Sequence, residues 1–431
     1  MAGLLIRNGR VVDPAANLDG ARDVLIVDGK IASIKPKIPP SKSKAQIIDA
    51  KGMLVLPGLI DMHAHLRDPG RPDKETIASG TRAAARGGFT TVCCMANTTP
   101  PIDNPAVVKY VRNKAETEGV VTVFPIGAVT RGLKGEVLTE MGLMLEEGAI
   151  AFSDDGQPLM KADIMRKALE YARQFAVPII SHCEDKNLSR GGAMNESALS
   201  TAIGLPGIPA LSEEAMVARE IKLAQEFGRV HIAHVSSAGS VDLIRQAKRK
   251  GLPVTCETCP HYFSLTEEAV REYDTNAKVN PPLKSQKDVK AIIKGLKDGI
   301  IDVIATDHAP HNIEEKNVEF NQAAFGLVGL ETALALVITN LVNTKILPLK
   351  KAIAKLTSIP AKILNLNKGT LKVGSDADII IVDPKAKWTV DPAQFASKSK
   401  NTPFSGWKLT GKVLYTVVGG KVVVRDGKII T

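Results

Sequence analysis

Residues 54–70, LVLPGLIDMHAHLRDPG, decide the fold class. The apolar run in this stretch ends in two histidines, His63 and His65, which are two residues apart. Two residues is the side-chain repeat of a β-strand, so an extended chain places both imidazoles on one face as a chelating pair. On a helix the same spacing would turn the rings about 200° apart, and Pro57 with Gly58 also disfavours a helix. We therefore predict a strand that ends at a metal-binding pair.

Seven further apolar segments follow this first strand, and predicted helices separate most of them. The eight strand candidates are LVLPGLIDMHAH, GFTTVCCM, VVTVFPIGAVT, AIAFSDD, VPIISHCE, RVHIAHVSS, LPVTCETCPHYF and IDVIATDHAP. Eight alternating units of strand and helix predict an α/β fold built on a closed (β/α)₈ barrel of the TIM type. An open doubly wound sheet is the alternative, but the first strand is not followed by the GxGxxG turn of nucleotide-binding sheets.

Two of the intervening helices have clear sequence signals. In ADIMRKALEYARQFA, one apolar stripe at helical spacing consists of Ile164, Met165, Ala168, Leu169, Ala172 and Phe175. For the next helix, EEAMVAREIKLAQEF, we expect Ser212 to cap the beginning and Gly228 to end it.

Both ends of the chain have a different pattern of short strands and tight turns. LLIRNGRVVD and DVLIVDGKIASI near the start resemble DADIIIVDP and GKVLYTVVGGKVVVRDGKII near the end, and NG, DG, GG or KG turns recur in both regions. We predict a small composite β-sandwich domain made from residues 1–56 and 366–431, and a barrel made from residues 57–365.

The composition is that of an ordinary globular protein. Apolar residues are 44% and charged residues 24% of the 431 residues, which allows a sizeable core. No signal peptide and no apolar run of membrane-spanning length is seen, so we expect a cytoplasmic protein without a membrane partner. The net charge of +10 comes from dispersed lysines, and aromatic residues are only 4%, which disfavours nucleic acid as a partner.

The five cysteines are an odd number, placed within apolar segments, as in proteins of a reducing compartment. Cys256 and Cys259 form a CxxC, but no second CxxC or matched histidine pair accompanies it. We therefore expect buried small side chains there rather than a structural zinc site.

Polar residues stand at the carboxyl ends of the predicted barrel strands, where barrels of this type carry their chemistry. These candidate metal ligands are His63, His65, Asp155, His182, His234 and Asp307. Imidazole and carboxylate are the usual ligands of a zinc-type divalent ion. Spacing alone does not choose between Asp154 and Asp155 for the fourth strand. For His231, His261 and His308 we expect structural roles.

Six ligands suit a site for two metals with a shared carboxylate, where a bridging hydroxide would be a nucleophile at neutral pH. Asp307 at the edge of that site has a second predicted task as general acid and base. Arg67 lies two residues beyond His65, where its guanidinium can bind a substrate carboxylate through two hydrogen bonds. Asn97, Asn280 and His311 are further polar residues at the beginnings of loops on the same rim, although turn formation also explains an asparagine beside proline.

The ordered motifs NGRVVDP, DMHAHLRDPG, MANTTP, FSDDG, HCED, HVSS, NPPL, DHAPH and NTPFSGWKLTGKV cover nearly the whole chain, and together they resemble the dihydroorotases among the metal-dependent amidohydrolases. The resemblance implies that His63 and His65 bind one zinc ion with Asp307, and that His182 and His234 bind a second. It also implies that Arg67, Asn97, Asn280 and His311 hold the substrate. Hydantoinases, allantoinases and some dihydroorotases resemble one another in using a carboxylated lysine at the end of the fourth strand as a metal bridge. Here that strand, AIAFSDDG, has no lysine, and the chain resembles a branch in which the second aspartate, here Asp155, takes that role.

The implied reaction is the reversible closure of N-carbamoyl-L-aspartate to L-dihydroorotate in pyrimidine biosynthesis, with one or two Zn²⁺ ions per subunit. The partner hypotheses are aspartate carbamoyltransferase and a homodimer. The alternatives are an allantoinase or hydantoinase, and a non-catalytic barrel that serves as an assembly scaffold. Residues 311–326, HNIEEKNVEFNQAAFG, are either a mobile lid or a fixed surface loop.

Overall fold

The computed structural model describes residues 3–39 and 46–430, so parts of the predicted composite domain (residues 1–2, 40–45 and 431) lie outside the described residues. Its strands, in chain order, are β1 (Leu4–Asp13), β2 (Leu18–Val27), β3 (Lys30–Lys35), β4 (Gln46–Asp49), β5 (Leu54–Pro57), β6 (Leu59–Ala64), β7 (Phe89–Cys94), β8 (Thr122–Pro125), β9 (Ile179–Ser181), β10 (Met194–Asn195), β11 (Gly207–Ile208), β12 (Val230–Ile232), β13 (Val254–Thr258), β14 (Val303–Ile304), β15 (Ile379–Thr389), β16 (Lys408–Val418), β17 (Lys421–Arg425) and β18 (Lys428–Ile429).

The helices alternate with the strands of the middle region. They are α1 (Ile77–Gly87), α2 (Pro105–Glu118), α3 (Met141–Glu146), α4 (Ala162–Arg173), α5 (Lys186–Ser189), α6 (Ala198–Ala202), α7 (Leu211–Phe227), α8 (Ala238–Arg249), α9 (Pro260–Ser264), α10 (Gln286–Asp298), α11 (Ile313–Lys316), α12 (Ala333–Val337), α13 (Leu349–Ala354) and α14 (Ser358–Ile363), with a π-helical turn at Ile338–Val342 and 3₁₀ turns at Arg131–Leu133, Glu267–Val270, Thr275–Ala277 and Pro392–Gln394. Among the helices of the described residues, none combines the length and the apolar character needed to cross a bilayer.

The middle region forms the expected barrel of parallel strands. Strands β6, β7 and β8 pair in that order, and β9, β12, β13 and β14 form the other part of the wall. A bridge between Ala64 and His308 joins β6 to the chain that follows β14, which closes the ring. The interior is filled by small and medium side chains from successive strands, among them Met62, Cys93, Met95, Ile126, Ala151, Ile180, Ala233, Val303 and Ala305. The barrel is therefore a packed core, with its openings at the two ends of the strands.

The fourth strand is shorter than its sequence predicts. In the segment AIAFSDD only Phe152 has strand-like pairing, with single bridges to Gly127 on one side and Ile179 on the other. These bridges still fill the gap between β8 and β9, because the Ser153 N–H donates to Gly127 O at 2.8 Å and the Ile180 N–H donates to Phe152 O at 2.8 Å. The wall of the barrel is complete, but this part is held by isolated bridges instead of a regular strand.

The predicted first strand is in fact two strands that belong to different sheets. β5 pairs with β1 and β15 of the terminal sheet, whereas β6 enters the barrel, and Gly58 lies between them. A Cβ at Gly58 would lie 2.0 Å from Thr90 Oγ1, so only glycine fits where the chain passes β7. His63 is inside β6 and His65 lies one residue beyond its end.

The strands of both chain ends join in one continuous set of hydrogen bonds. The order is β18-β17-β16-β15-β5-β1-β2-β3, and β4 pairs with β1. Because β15 from the C-terminal part pairs with β5 from the N-terminal part, neither end completes this sheet alone. The expected α/β class, a barrel with a β domain assembled from both termini, is confirmed.

Three local expectations are wrong. Phe175 lies beyond the end of α4 and is 40% exposed, so the buried stripe ends at Ala172. Ser212 lies inside α7, after Ala210 at the N-cap, and its hydroxyl donates to Asp185 O at 3.1 Å instead of capping the helix. The seventh strand ends at Thr258, because Pro260 begins α9. The expected end of α7 at Gly228 is confirmed.

Candidate active site

Six polar side chains meet at the carboxyl end of the barrel, because they lie at the ends of five wall segments or directly after them. We call them the carboxylate–histidine cluster, and they are His63, His65, Asp155, His182, His234 and Asp307. All six are buried; the most exposed, Asp307, has a relative exposure of 7%. The structure thus brings together every residue that the sequence suggested as a metal ligand.

Asp155 lies at the centre of the cluster. Its Oδ1 is 3.3 Å from His182 Nδ1 and 3.4 Å from His234 Nε2. The same oxygen is 3.5 Å from His63 Nε2, and Oδ2 is 3.5 Å from His65 Nε2. The Asp155 carboxylate therefore faces all four imidazoles. A carboxylate shared between two metal ions would have this position.

Asp307 occupies one side of the cluster. Its Oδ1 is 3.2 Å from His65 Nε2 and 3.6 Å from His63 Nε2. Two overlapping groups of potential ligands result: His63 with Asp155 and His234, and His63 with His65 and Asp307, in each of which the ligand atoms lie within 4.8 Å of one another.

The cluster contains buried polar atoms that bind nothing within the described part of the chain. His63 Nε2, Asp155 Oδ1 and His234 Nδ1 have no hydrogen-bond partner there. Unpaired buried polar atoms are costly, and in native proteins they indicate a missing ligand or a catalytic role. Imidazole nitrogens and carboxylate oxygens at this spacing suit a zinc-type ion, so the residues present fit a divalent metal.

The electrostatics of the cluster also favour a cation. Burial alone would raise the pKa of Asp155, but the neighbouring His63, His182 and His234 outweigh burial and hold that pKa well below its usual value. Burial is likewise outweighed at Asp307, mainly by the hydrogen bond with His65, so its pKa is also lowered. Both carboxylates are therefore ionised at neutral pH.

A second layer of polar groups fixes which imidazole nitrogen faces the cluster. His63 Nδ1 is 2.6 Å from Glu257 Oε1, and His182 Nε2 is 2.9 Å from Glu184 Oε2. His65 Nδ1 is 2.8 Å from the Asn97 side-chain oxygen. With these nitrogens occupied, the opposite nitrogen of each ring is left to bind a metal, which is how second-layer partners orient metal ligands.

Of the two neighbouring aspartates, only Asp155 faces the cluster. Asp154 accepts hydrogen bonds from the Val129 and Thr130 N–H groups at 2.7 and 3.1 Å and from the Thr130 hydroxyl. Burial raises the pKa of Asp154 to about 6. Asp154 thus holds the loop after β8, and Asp155 is the aspartate whose carboxylate faces the histidines.

A cleft of about 420 Å³ opens above the cluster. Its lining includes the four residues predicted to bind substrate, namely Arg67, Asn97, Asn280 and His311. The Arg67 guanidinium donates to Pro310 O at 3.2 Å and lies 3.3 Å from His311 Nε2. Among residues 3–39 and 46–430, no carboxylate oxygen lies within 4.0 Å of this guanidinium. Its positive charge is therefore not neutralised by an ion pair with a described side chain.

The other lining residues are held in place by neighbours. Asn280 Nδ2 donates to Glu184 Oε2 at 2.9 Å, and His311 Nδ1 lies 2.7 Å from Glu315 Oε2. Burial, together with the nearby Arg67, lowers the pKa of His311 to about 3. His311 is therefore an uncharged hydrogen-bonding group at neutral pH.

Comparison with known proteins identifies the family to which this site belongs. The sequence profile of the amidohydrolase family matches residues 54–423. The chain belongs to the amidohydrolase family. Amidohydrolases are generally metal-dependent, and this member has the residue groups described above that can hold a metal ion.

Several members of the family are similar over their full length. A protein named dihydroorotase from Pelotomaculum thermopropionicum is 58% identical over 424 residues, which is 98% of this chain and 99% of the relative. A second protein of that name, from Acetivibrio thermocellus, is 55% identical over 425 residues, with 98% and 99% coverage. The resemblance to dihydroorotases noted in the sequence is confirmed by these matches.

Solved structures of other family members have the same fold. An L-hydantoinase from Arthrobacter aurescens superposes with a TM-score of 0.90 at 28% identity, covering 100% of this chain and 98% of the other. A dihydropyrimidinase from Brevibacillus agri superposes with a TM-score of 0.86 at 25% identity, covering 99% and 96%.

Sequence reasoning missed four residues of this amidohydrolase site. Glu257 and Glu184 bind the ring nitrogens of His63 and His182 that point away from the cluster, and Phe325 and Gly326 line the cleft. Both glutamates had a signal in the sequence. Glu184 follows His182 by two residues in HCED, and Glu257 lies near the end of a predicted barrel strand. Phe325 and Gly326 had none, because their place depends on the path of a long loop.

The three histidines expected to be structural have different surroundings. His231 lies 2.8 Å from Thr255 Oγ1, and His308 lies 3.3 Å from Glu75 Oε2. His261 is nearer the site, where it forms a group with Cys259 and Asp307 whose potential ligand atoms lie within 4.8 Å of one another. Burial lowers the pKa of His261 to about 4, so it is neutral.

Proposed function

We propose that this protein is a zinc-dependent dihydroorotase, which interconverts N-carbamoyl-L-aspartate and L-dihydroorotate in pyrimidine biosynthesis. The observation that carries the proposal is the Arg67 guanidinium, which lies in the same cleft as the carboxylate–histidine cluster and has no acidic partner among the described residues. A cyclic amide that carries a carboxylate fits this pair of features. The full-length similarity to proteins named dihydroorotase supports the same substrate.

We assign the metal to the cluster, with one or two ions held by His63, His65, Asp155, His182, His234 and Asp307. A bound zinc ion would polarise the amide carbonyl and lower the pKa of a water molecule. The second-layer groups Glu184, Glu257 and Asn97 keep the imidazole rings oriented for it.

The chain's own residues perform the remaining steps. Arg67 binds the carboxylate of dihydroorotate, and Asn97, Asn280 and the neutral His311 orient the ring by hydrogen bonds. As water adds to the ring amide carbonyl, an Asp307 carboxylate oxygen accepts its proton. Asp307 then donates that proton to the ring nitrogen as the C–N bond breaks, and it takes the proton back during ring closure.

We also propose a cellular location, a protein partner and an assembly for the enzyme. We place it in the cytoplasm, in keeping with its cysteine usage. Aspartate carbamoyltransferase is the proposed protein partner because its product, N-carbamoyl-L-aspartate, is the substrate here. A homodimer is the proposed assembly in the absence of that partner.

The test measures ring opening of L-dihydroorotate by absorbance, with purified zinc-supplemented protein and with hydantoin and allantoin as control substrates. Arg67→Lys should lower kcat/KM for dihydroorotate about tenfold or more, because lysine cannot make the paired hydrogen bonds of a guanidinium. Arg131→Lys is the matched control, since the Arg131 side chain is 61% exposed and its only ion pair with a described residue is with Glu140 at 3.6 Å. Faster turnover of hydantoin than of dihydroorotate, or an unchanged Arg67→Lys enzyme, would contradict the proposal.

A further inference from the structure

A short segment near the C-terminus, SKSKN (residues 397–401), lies directly behind the substrate cleft. Its side chains alternate: Ser397, Ser399 and Asn401 are 1%, 4% and 5% exposed, whereas Lys398 and Lys400 face solvent. Alternation with a period of two is that of an extended chain with one face against the protein. Its last residue, Asn401, begins the NTPFSGWKLTGKV motif, for which the proposed mechanism supplies no task.

Asn401 uses its whole side-chain amide on the backbone of the cleft. Its Oδ1 accepts a hydrogen bond from the His311 N–H at 3.1 Å. Its Nδ2 donates to Ala309 O at 3.2 Å and to Gly326 O at 3.1 Å. The Asn401 backbone oxygen also accepts from the Val328 N–H at 2.8 Å. One side chain therefore joins the chain after β14 to the far end of the loop that follows it.

The residues joined by Asn401 form one wall of the cleft. Ala309, His311, Phe325 and Gly326 all line it, whereas Asn401 does not. The two parts of this wall are in close contact: a Cβ at Gly326, where φ is +139°, would lie 2.7 Å from the Ala309 Cβ. A small displacement of either part would therefore change the surface that the substrate meets.

The same segment holds the loop that carries Arg67. The Ser399 hydroxyl donates to Lys74 O at 2.6 Å, and the Lys398 N–H donates to Glu75 Oε1 at 3.0 Å. The Ser397 hydroxyl donates to the other oxygen of Glu75. Residues 397–401 thus contact both loops that we propose to hold the substrate.

We propose that Asn401 is a positioning residue for substrate binding, which acts by holding His311 and Gly326 in a fixed relation. The inference rests on the proposed function, since it assigns substrate contacts to His311 and Arg67. Replacing Asn401 by alanine leaves the His311 N–H and the Ala309 carbonyl without their side-chain partner, while Gly326 O keeps the hydrogen bond from Lys316 Nζ at 3.0 Å. The wall must rearrange to satisfy the two unpaired groups. A wall that is no longer preformed binds the ring more weakly, while the cluster that performs the chemistry is untouched.

The kinetic test compares Asn401→Ala with Asn340→Ala, which removes a side-chain hydrogen bond to Ser264 outside the cleft. We expect KM for L-dihydroorotate to rise about tenfold in Asn401→Ala, with kcat within about threefold and with unchanged zinc content. Asn340→Ala should keep the wild-type KM. A fall in kcat with an unchanged KM, or equal effects of both substitutions, would overturn the proposal.

Hydrogen exchange of the backbone amides gives a readout that does not depend on turnover. Asn401→Ala should exchange faster at residues 309–311 and 325–328, with no change in the strands of the barrel. Asn401→Asp retains an acceptor for the His311 N–H, but its carboxylate cannot donate to the Ala309 and Gly326 carbonyl groups. The His311 amide should therefore still exchange slowly, whereas the amides near Gly326 should exchange faster. If the wild-type protein does not open dihydroorotate, the proposed function fails, and exchange rates still decide whether Asn401 holds the wall. Wild-type exchange in Asn401→Ala would refute the positioning role.

Discussion

At the scale of single residues, the site gathers ionised carboxylates around four imidazoles inside a protein of positive net charge. Asp155 and Asp307 are both ionised. Glu184 and Glu257, which are bonded to His182 and His63, also have lowered pKa values because the imidazoles outweigh their burial. Four carboxylates thus share a small buried volume, although the chain as a whole has a net charge of +10. Such an arrangement is stabilised by a cation at its centre, which is the physical reason to expect a metal here.

Glu257 provides the first prediction, because it supports His63 directly and touches no substrate. Glu257→Gln keeps the shape of the side chain but replaces a charged acceptor by a neutral one, so His63 becomes a weaker and less firmly oriented ligand. We expect the zinc affinity to fall about 10- to 100-fold, measured by competition with a chromogenic chelator. Glu268→Gln, at an exposed residue that pairs with Arg271, is the control and should bind zinc like the wild type. Equal zinc affinities of the two variants would contradict this role of Glu257.

At the scale of elements, the carboxyl ends of the barrel strands were predicted well because each is marked by a polar residue after an apolar run. The beginnings and ends of elements were predicted less well. LVLPGLIDMHAH has the apolar pattern of one long strand, and only the tertiary contact of Gly58 with Thr90 divides it between two sheets. Ser212 has the right residue type for a cap, but α7 begins one residue earlier and Ser212 binds Asp185 instead. Local patterns do not contain such contacts between distant parts of the chain.

The close contact between Gly58 and Thr90 gives a prediction about stability. In Gly58→Ala the new methyl group would overlap Thr90, which is 1% exposed and has no room to move. We expect a loss of about 1–3 kcal/mol in the free energy of unfolding, as for other overpacked sites, measured by denaturant unfolding. Adding Thr90→Ala removes the nearest atom, Oγ1, and should recover part of the loss. Gly20→Ala, where the nearest neighbouring atom is 3.7 Å away, should be nearly neutral; a similar loss there would contradict the steric explanation.

Glu331, just before α12, joins the C-terminal segment to the barrel and should make stability depend on pH. Its Oε1 accepts from the Ala396 and Ser397 N–H groups at 2.8 and 3.1 Å, and Oε2 lies 3.3 Å from Arg86. Burial raises its pKa from 4.5 to about 7, and Arg86 offsets only part of that effect. The folded protein therefore holds this proton more tightly than the unfolded chain, and folding is favoured most below the unfolded pKa.

Glu331→Gln tests this linkage, because an amide keeps the oxygen acceptor and cannot ionise. The wild-type contribution of this group should decline as pH rises from about 4.5 to about 7, whereas the variant loses nothing in that window. The difference in unfolding free energy, variant minus wild type, should thus increase across it by up to about 3 kcal/mol. Asp61 and Asp154, whose pKa values are also raised by burial to about 6, cancel in this difference. A difference that stays flat with pH would show that Glu331 titrates normally.

At the scale of the whole molecule, each of the two structural units is completed by pairing between segments that are far apart in sequence. The terminal sheet requires β5 to pair with β15, and the barrel requires Ala64 to meet His308. Residues 397–401 then cross from the C-terminal part to the cleft. The composite β domain therefore has a role beyond its own fold, because the chain that leaves β15 supports both loops proposed to bind substrate.

The carboxylate–histidine cluster takes its members from five wall segments between His63 and Asp307, so a bound metal should stabilise the whole barrel. An ion that binds only the folded state raises the free energy of unfolding by about 1.4 kcal/mol for each tenfold increase in free zinc above its dissociation constant. We expect the denaturant midpoint of the wild type to rise with buffered free zinc and to reach its lowest value in chelator. The double variant His63→Asn/Asp155→Asn lacks the ligand common to both groups and the central carboxylate, so its midpoint should hardly respond to zinc. A wild-type midpoint independent of zinc, or an equal response in the double variant, would mean that the cluster does not bind the metal that stabilises the fold.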